Sequence, residues 1–500
     1  MAAAGGMIAA MLNPAYLKGE TWGFPGEPVE EVETHAAHVL LVDGLAFKIK
    51  KDVKLPYLDF SSVEKRRAVL ADELAINKAF APAIYREVKD VLGEPALVMN
   101  RFPANAALSW KVAHGGIDHQ LAARLAETAA EAHIIAPARD TPGFDIMSGL
   151  AAQLSDAFVS SPDIFNAAQT LEFHAHYYAA LKQHRGLLNA RAANGLVRRC
   201  HGDMHCDNII VIDGKPVLFD AIEFSEKIAT IDVLYDLAFL LMDLWRYGER
   251  AAANTVLNHY LDLRREQEDL SGLALLPLLQ STRAGVRALV TADLMHEQGA
   301  GGNARQRGTA LDYFRSSIGY LKPVRPSLIC IGGLSGTGKS TLARELAPDI
   351  GAAPGALHVR SDVERKIMAG VAMTEKLPPE SYSRAASMQV YHVMLLRAEK
   401  ALRAGHSVVL DAVFAREDER HAAETMAKRL RVPLHGFWLQ AETDVLKQRV
   451  KERSGDPSDA DASVVETQLQ YDLGRMHWTP IDAGGSSADS RNQVKRHLGI

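Results

Sequence analysis

Cysteine is scarce: Cys200, Cys206 and Cys330 are the three in 500 residues. Thiols so few and so unevenly spaced exclude a disulfide framework and fit a reducing compartment, so a cytoplasmic location is expected. Long apolar runs are missing as well. No stretch approaches the roughly 18 uninterrupted apolar residues of a spanning helix. The opening MAAAGGMIAAMLNPAYLKGE has no basic start and reaches Asn13-Pro14 quickly, so neither a secretory signal nor a membrane anchor is expected. An excess of one charge is also lacking: 56 Lys and Arg stand against 61 Asp and Glu, a formal net charge of -5. Such a balance gives no reason to expect a nucleic-acid partner. Internal repeats and long low-complexity tracts are absent from the sequence too.

What remains is an ordinary globular composition, 47% hydrophobic and 23% charged, in a chain longer than one core usually organises. One boundary is sharp. In GYLKPVRPSLICIGG two prolines separate a helix-rich region from an apolar run of strand type, which places a cut near residue 325 and predicts domains at 1–325 and 326–500. Short strands with DG turns and then alanine-rich helical stretches predict an α+β first domain. Alternating strands and helices predict an α/β second domain with a parallel sheet.

The second part contains LICIGGLSGTGKSTLARELA. An apolar strand pattern leads into Gly333, Leu334, Ser335, Gly336, Thr337, Gly338, Lys339, Ser340 and Thr341, and a helical pattern follows. This is a complete P-loop in its strand-loop-helix context. Glycines let backbone N–H groups wrap phosphates, Lys339 reaches the β and γ oxygens, and Ser340 is a Mg²⁺ ligand. ATP and Mg²⁺ are the expected cofactors. Two carboxylates fall at the ends of later strands, where open α/β sheets bind ligands. Asp362, in ALHVRSD, fits a base that takes the proton of an acceptor hydroxyl, and Asp411, in HSVVLDAVF, fits a group orienting Mg²⁺. Asp362 also fits a helix N-cap, and Asp411 a turn. Arg449 and Arg453 share one helix face and suit a lid closing on phosphates, or a solvated charged face.

On GGLSGTGKST, RSDVERK, VVLDAVF and the arginines of RVKER, residues 326–500 resemble the small P-loop kinases, the group of gluconate kinase, zeta-type toxins and polynucleotide 5′-kinases. The resemblance implies phosphoryl transfer from ATP to a hydroxyl, with Asp362 as base and the lid arginines on the phosphates. It leaves the substrate open.

In the first part, HGDMHCDN at 201–208 concentrates metal-ligand types. The helical zinc motif, however, has Glu directly after its first His, where Gly202-Asp203 stand here. The spacing instead matches a kinase catalytic loop. His-x-Asp precedes Asn by five residues, and the apolar DG hairpin IIVIDGKPVLF then ends at Asp220. Asp203 accepts or orients the hydroxyl in this reading, while Asn208 and Asp220 hold Mg²⁺. The matching upstream pair is found in HVLLVDGLAFKIKK, which supplies Lys48, with Lys50 as an alternative in the same alternation phase, and in SSVEKRRAVLADELAINKAF. The latter opens with Ser61 and Glu64 in capping-box spacing and carries Glu73 on a stripe of Val69, Leu70, Ile76 and Phe80. A carboxylate on a buried stripe needs a cation, and Lys48 is the natural partner; a Glu73 at the stripe's edge would instead face water.

With His205 where protein kinases commonly carry lysine, and with IDVLYDLAFLLMDL after the metal Asp, the region from about 30 to 320 resembles an aminoglycoside phosphotransferase-type, two-lobed kinase fold. The resemblance implies that Asp232 and Asp236 brace the catalytic loop and that LVMNRF at 97–102 is the hinge. Two departures stand out: no GxGxxG precedes Lys48, and DAIEF replaces DFG. The whole chain resembles bacterial fusions of an aminoglycoside phosphotransferase-like domain with an AAA-type P-loop domain. The expectation is a Mg-ATP-dependent phosphotransferase acting on a small-molecule substrate at two sites. A first domain that only senses or recruits, or a P-loop ATPase that switches a binding domain, are the alternatives.

Overall fold

The computed structural model describes residues 12–34, 36–55, 58–297, 304–452 and 455–500. The chain divides into two compact units. One holds residues up to 117 with 128–141 and 194–240; the other holds 118–127, 142–193 and 241–500.

The first unit is built on an antiparallel sheet of β1 (Glu30–Glu33), β2 (Ala37–Val42), β3 (Leu45–Lys50), β4 (Tyr85–Val91) and β5 (Glu94–Asn100), in the order β1-β2-β3-β5-β4. Two-residue loops set the registers: Val42 pairs Leu45 around Asp43-Gly44, and Val91 pairs Glu94 around Leu92-Gly93. Alternation then sorts the faces. Leu40, Val42, Phe47, Ile49 and Val98 pack with Tyr16 and Trp22 on one side, while Leu97, Ile84 and Tyr85 pack with Leu70 and Ile210 on the other. Leu70 belongs to helix α1 (Val63–Phe80), whose N-cap is Ser62, accepting the Lys65 N–H, rather than the expected Ser61; Ser61 is bonded to Asp59 instead.

Further along lie β6 (Val197–Arg199), the hairpin of β7 (Ile209–Ile212) and β8 (Lys215–Leu218), and β9 (Thr230–Asp232), which pairs with β6. The hairpin turn Asp213-Gly214 has positive φ at both residues, 49° and 74°, as a two-residue type I′ turn requires. Helix α2 (Val233–Arg246) follows and is buried from Val233 through Leu244.

The second unit combines helices, among them α3 (Arg250–Arg264), with a parallel five-stranded sheet. Its elements are β10 (Leu328–Gly333), α4 (Lys339–Leu346), β11 (Leu357–Arg360), α5 (Ser361–Ala369), α6 (Arg384–Arg403), β12 (Val408–Asp411), β13 (Leu434–Gln440), α7 (Thr443–Glu452) and β14 (Thr479–Asp482). The strand order is β11-β12-β10-β13-β14, every neighbour parallel. Central β10, LICIGG, is buried at all six positions, the unbroken apolar run expected of a strand covered on both faces. The α+β and α/β classes expected from the sequence are both present. Among the described residues no helix is long and apolar enough to cross a membrane.

Candidate active sites

Lys48 projects from β3 into the first unit, where its Nζ lies 2.7 Å from Glu73 Oε1 and 2.9 Å from Asp220 Oδ1. Glu73 is fully buried on α1, so it does not face water. The stripe that carries it differs from the expected one: Arg66, Leu70, Glu73 and Asn77 are its buried positions, while Val69, Ile76 and Phe80 are half-buried. The helix therefore turns a polar rank toward the site. Lys50 joins the same network, 2.7 Å from Glu73 Oε2 and 2.7 Å from Glu223 Oε1. Glu223 is the second acidic residue of DAIEF, three positions after Asp220. Burial works against the charges here, yet the carboxylates around Lys48 hold its ammonium well above the usual lysine range, and the two lysines hold Glu73 below the carboxylate range.

Asp220 follows β8 in a left-handed conformation, φ 59°, uncommon for a residue with a side chain. Its N–H donates to the Tyr85 hydroxyl at 3.0 Å. Next to it, Asn77 Oδ1 accepts the Ala221 N–H at 2.7 Å and Asn77 Nδ2 donates to the Ala221 carbonyl at 3.3 Å.

The 201–208 loop is held from behind. Asp236 is fully buried and accepts the N–H groups of His201 (3.1 Å) and Gly202 (3.0 Å), with His133 Nε2 3.3 Å away. This carboxylate braces the loop, and Asp232 accepts the Leu234 N–H at the start of α2. Asn208 Nδ2 donates to the carbonyl (3.0 Å) and carboxylate (2.8 Å) of Asp203, which turns its Oδ1 away from that bond. His205 Nε2 lies 3.3 Å from Asp203, and its Nδ1 accepts the Asp207 N–H. His201 bonds the Phe219 carbonyl at 3.0 Å and accepts the Asp203 N–H, and burial lowers its pKa. The two imidazoles thus shape the loop rather than converging on a shared ion. The expected hinge, 97–102, falls on the end of β5 and the residues just after it.

In the second unit the loop between β10 and α4 has positive φ at Gly333 (145°), Gly336 (85°) and Gly338 (85°). A Cβ on Gly336 would stand 2.5 Å from the Leu446 carbonyl oxygen, and one on Gly333 2.8 Å from that of Leu439. Close backbone approach therefore dictates glycine at both. The Leu334 carbonyl accepts from Thr337 Oγ1 (2.8 Å) and Lys339 Nζ (3.0 Å), and Ser335 N–H donates to Gln468 at 2.7 Å. Ser335, Gly336, Gly338, Lys339, Ser340 and Thr341 line a cleft of about 1130 Å³ together with Asp362 and Asp411.

Asp411 ends β12, almost fully buried, 3.4 Å from His358 Nε2 and 3.4 Å from Arg360 Nε. Burial pushes its pKa up, but His358, Arg360 and Lys339 outweigh that and hold it at about 2, so it is ionised at neutral pH. Asp362 lies in the first turn of α5; the N-cap position is occupied by Arg360. Arg449 also lines the cleft while its guanidinium donates to the carbonyls of Ala483 (2.7 Å) and Gly485 (2.8 Å). Arg453 lies outside the described residues.

Several groups escaped the sequence reading. Arg360 pairs with Asp456 at 3.1 Å, and Asp459 accepts from Lys366 (2.7 Å), Tyr382 (2.6 Å) and the Leu377 N–H (2.9 Å). These aspartates sit in SGDPSDA, whose turn composition masks any functional signal. Asn77 carried one usable signal, its place one helical turn after Glu73.

Two family models match parts of the chain. The model of the phosphotransferase enzyme family matches residues 58–274, and that of an AAA domain matches 328–472. An uncharacterized protein of Mycobacterium tuberculosis and one of Mycobacterium bovis are each 29% identical over 489 residues, covering 94% of this chain and 95% of theirs. Among solved structures, a choline/ethanolamine kinase family protein from Mesorhizobium loti aligns with 59% of this chain and 92% of its own (17% identity, TM-score 0.36). A gluconokinase from Sinorhizobium meliloti aligns with 35% and 92% (20% identity, TM-score 0.25). The chain thus matches the phosphotransferase enzyme family model in its first part and the AAA domain model in its second.

Proposed function

We propose that the protein is a cytoplasmic, ATP- and Mg²⁺-dependent phosphotransferase that phosphorylates hydroxyl groups of small molecules, with one site in residues 1–325 and another in 326–500, and without a nucleic-acid or membrane partner. The observation that carries this reading is the cleft in which Lys339 and Ser340 of the P-loop meet Asp362 and Asp411. In the transfer, the acceptor oxygen bonds to the γ phosphorus as the bond to the bridging oxygen of ADP breaks, and Asp362 takes the hydroxyl proton. Lys339 offsets charge on the phosphates. A bound Mg²⁺ supplies further charge neutralisation there, and the Ser340 hydroxyl with the ionised Asp411 is a fitting oxygen donor set for it. Arg449 reaches the phosphates only by giving up carbonyl bonds it holds now, and Arg453 is its proposed companion in the lid.

The first site is also read as active. Lys48, Glu73 and Asp220 stand in contact, while Asp203 keeps a partly exposed carboxylate as base. Asp220 and the Oδ1 of Asn208 would hold a cation. A first domain that only senses nucleotide is the second reading, favoured by the absence of a glycine-rich motif before Lys48.

The test is γ-labelled ATP with a metabolite extract and the full-length chain. Lys339→Ala is expected to abolish the transfer that depends on Asp362, and Asp362→Asn to preserve nucleotide affinity while suppressing that transfer. Any product surviving in Lys339→Ala should vanish on adding Asp203→Asn. Labelled product formed at the wild-type rate by the Lys339→Ala, Asp203→Asn double variant would overturn the proposal.

A further inference from the structure

Strand β11 is the edge of the parallel sheet. An edge leaves N–H and C=O groups that need partners when buried. Helix α3, within the segment that matches the phosphotransferase family, supplies them through two asparagines. Asn254 Nδ2 donates to the carbonyls of Pro354 (3.1 Å) and Ala356 (2.9 Å). Asn258 Nδ2 donates to the Ala356 carbonyl at 3.2 Å, while its Oδ1 accepts the His358 N–H at 2.7 Å. The approach is close: a Cβ on Gly355 would meet Asn254 Nδ2 at 2.9 Å. His358, fixed in this way, is the residue whose ring faces Asp411.

The end of α3 makes a second attachment. Arg265 is its C-cap, left-handed at φ 55°, and its NH1 donates to both oxygens of Glu364 at 3.0 and 2.9 Å. Glu364 is buried and lies 3.1 Å from Arg397 Nε, and Arg397 NH2 in turn donates to Asp262 Oδ1 at 2.9 Å. Four charges thus tie α3 to α5 and α6. Glu364 and Arg397 are the buried members and demand such pairing, so taking a partner from either is costly. Glu364 and Asp362 are two residues apart on α5, about 200° around the helix. Anchoring the Glu364 face therefore turns Asp362 toward the cleft.

We infer that α3 is a positioning element of the P-loop site: Asn254, Asn258 and Arg265, contributed by the phosphotransferase segment, fix β11 and α5 and with them Asp362 and His358. The inference rests on Asp362 being the base of the proposed transfer, and it makes P-loop turnover depend on residues that touch neither nucleotide nor acceptor.

The experiment uses the full-length chain with Asp203→Asn as background, Mg-ATP as the turnover probe and a non-hydrolysable ATP analogue as the affinity probe. Arg265→Gly removes the guanidinium at a backbone position that glycine favours, so the cap survives. Turnover is expected to fall about tenfold at unchanged analogue affinity. Amide exchange should accelerate about tenfold in α5 but not in α4, and Arg265→Lys should recover most of the turnover. Wild-type turnover and exchange in Arg265→Gly, or an affinity loss that parallels the turnover loss, would overturn the inference. Asp362→Asn run alongside separates the two ideas: if it leaves turnover untouched, the base assignment of the proposed function falls, and faster exchange confined to α5 still upholds the bracing by α3.

Discussion

Asn77 grips Ala221 from both sides, its Oδ1 accepting the N–H and its Nδ2 donating to the carbonyl. The grip matters because the preceding residue, Asp220, sits at φ 59°, a conformation that costs an ordinary residue roughly 1–2 kcal/mol. Tyr85 and Asn77 together hold the backbone there, with the carboxylate against Lys48. Asn77→Ala removes both bonds to Ala221 and a third to the Glu73 carbonyl, and leaves Ala221 polar groups unsatisfied. A loss of about 1–3 kcal/mol is expected, seen as a lower urea midpoint, with weaker Mg²⁺-dependent nucleotide binding in a chain whose second site is silenced by Lys339→Ala. A midpoint equal to wild type would refute the clamp.

The two lysines of β3 should separate by role. Lys48→Met leaves Glu73 paired with Lys50, so the fold should tolerate it while nucleotide binding at the first site is lost. Lys50→Met strips the cation from Glu223 and half of the pairing from Glu73, both buried. Breaking a buried pair from one side costs about 3–5 kcal/mol, so Lys50→Met should be the less stable protein in urea. The opposite ranking would show that Lys50 is peripheral to the network.

These cases mark what the sequence could reveal. Spacing was enough for the P-loop, because close backbone approach forces glycine at Gly333 and Gly336, and for Asp203, Asn208 and Asp220, because one short loop and one hairpin carry them. Lys48 and Glu73 were legible as a pair because a strand alternates and a helix repeats. Lys50 remained an alternative, whereas the structure uses both lysines: Glu73 has two oxygens and sits between them. The polar rank that Arg66 and Asn77 form with Glu73 was hidden because buried polar residues look like surface until their partners, here Glu94 and Ala221, are known. The association of α3 with the parallel sheet was hidden for the same reason. Asparagine is a residue type found mostly at the surface, and only the edge strand beside Asn254 and Asn258 reveals their use.

Gly336 and Gly338 share φ 85° but not their surroundings. A Cβ at Gly336 collides with the backbone of Leu446, whereas at Gly338 nothing lies within 4 Å. Gly336→Ala must displace the loop or α7 and should weaken Mg-ATP affinity at the second site at least tenfold. Gly338→Ala should cost only the left-handed strain, about 1–2 kcal/mol, with a smaller loss of affinity. Calorimetry on both variants, each with the first site disabled by Lys48→Met, decides the matter; equal losses would mean that conformation alone, and not contact with Leu446, selects glycine in this loop.

Two buried groups of the second unit set its stability in acid over different pH ranges. His406, just before β12, is almost fully buried, and burial holds its imidazole down at about 4, against the upward pull of a backbone hydrogen bond at Gly355. The unfolded chain takes up a proton near the ordinary value of about 6.5, which the folded state refuses. Stability is therefore complete above that value and falls as pH drops from about 6.5 to 4, by up to roughly 3 kcal/mol for this group. Asp411 is held at about 2, below an ordinary carboxylate, so its contribution is present above about 3.9 and is lost as pH falls toward 2. His406→Leu should flatten the decline between pH 6.5 and 4 while leaving the steeper loss below 4 in place. The decline should not vanish, because burial also lowers the pKa of His119 and His435, which act in the same direction. Urea denaturation of the full-length chain at pH 7, 5.5 and 4.5 measures the slope, and an identical slope in wild type and His406→Leu would show that the imidazole is reached by water before the unit unfolds.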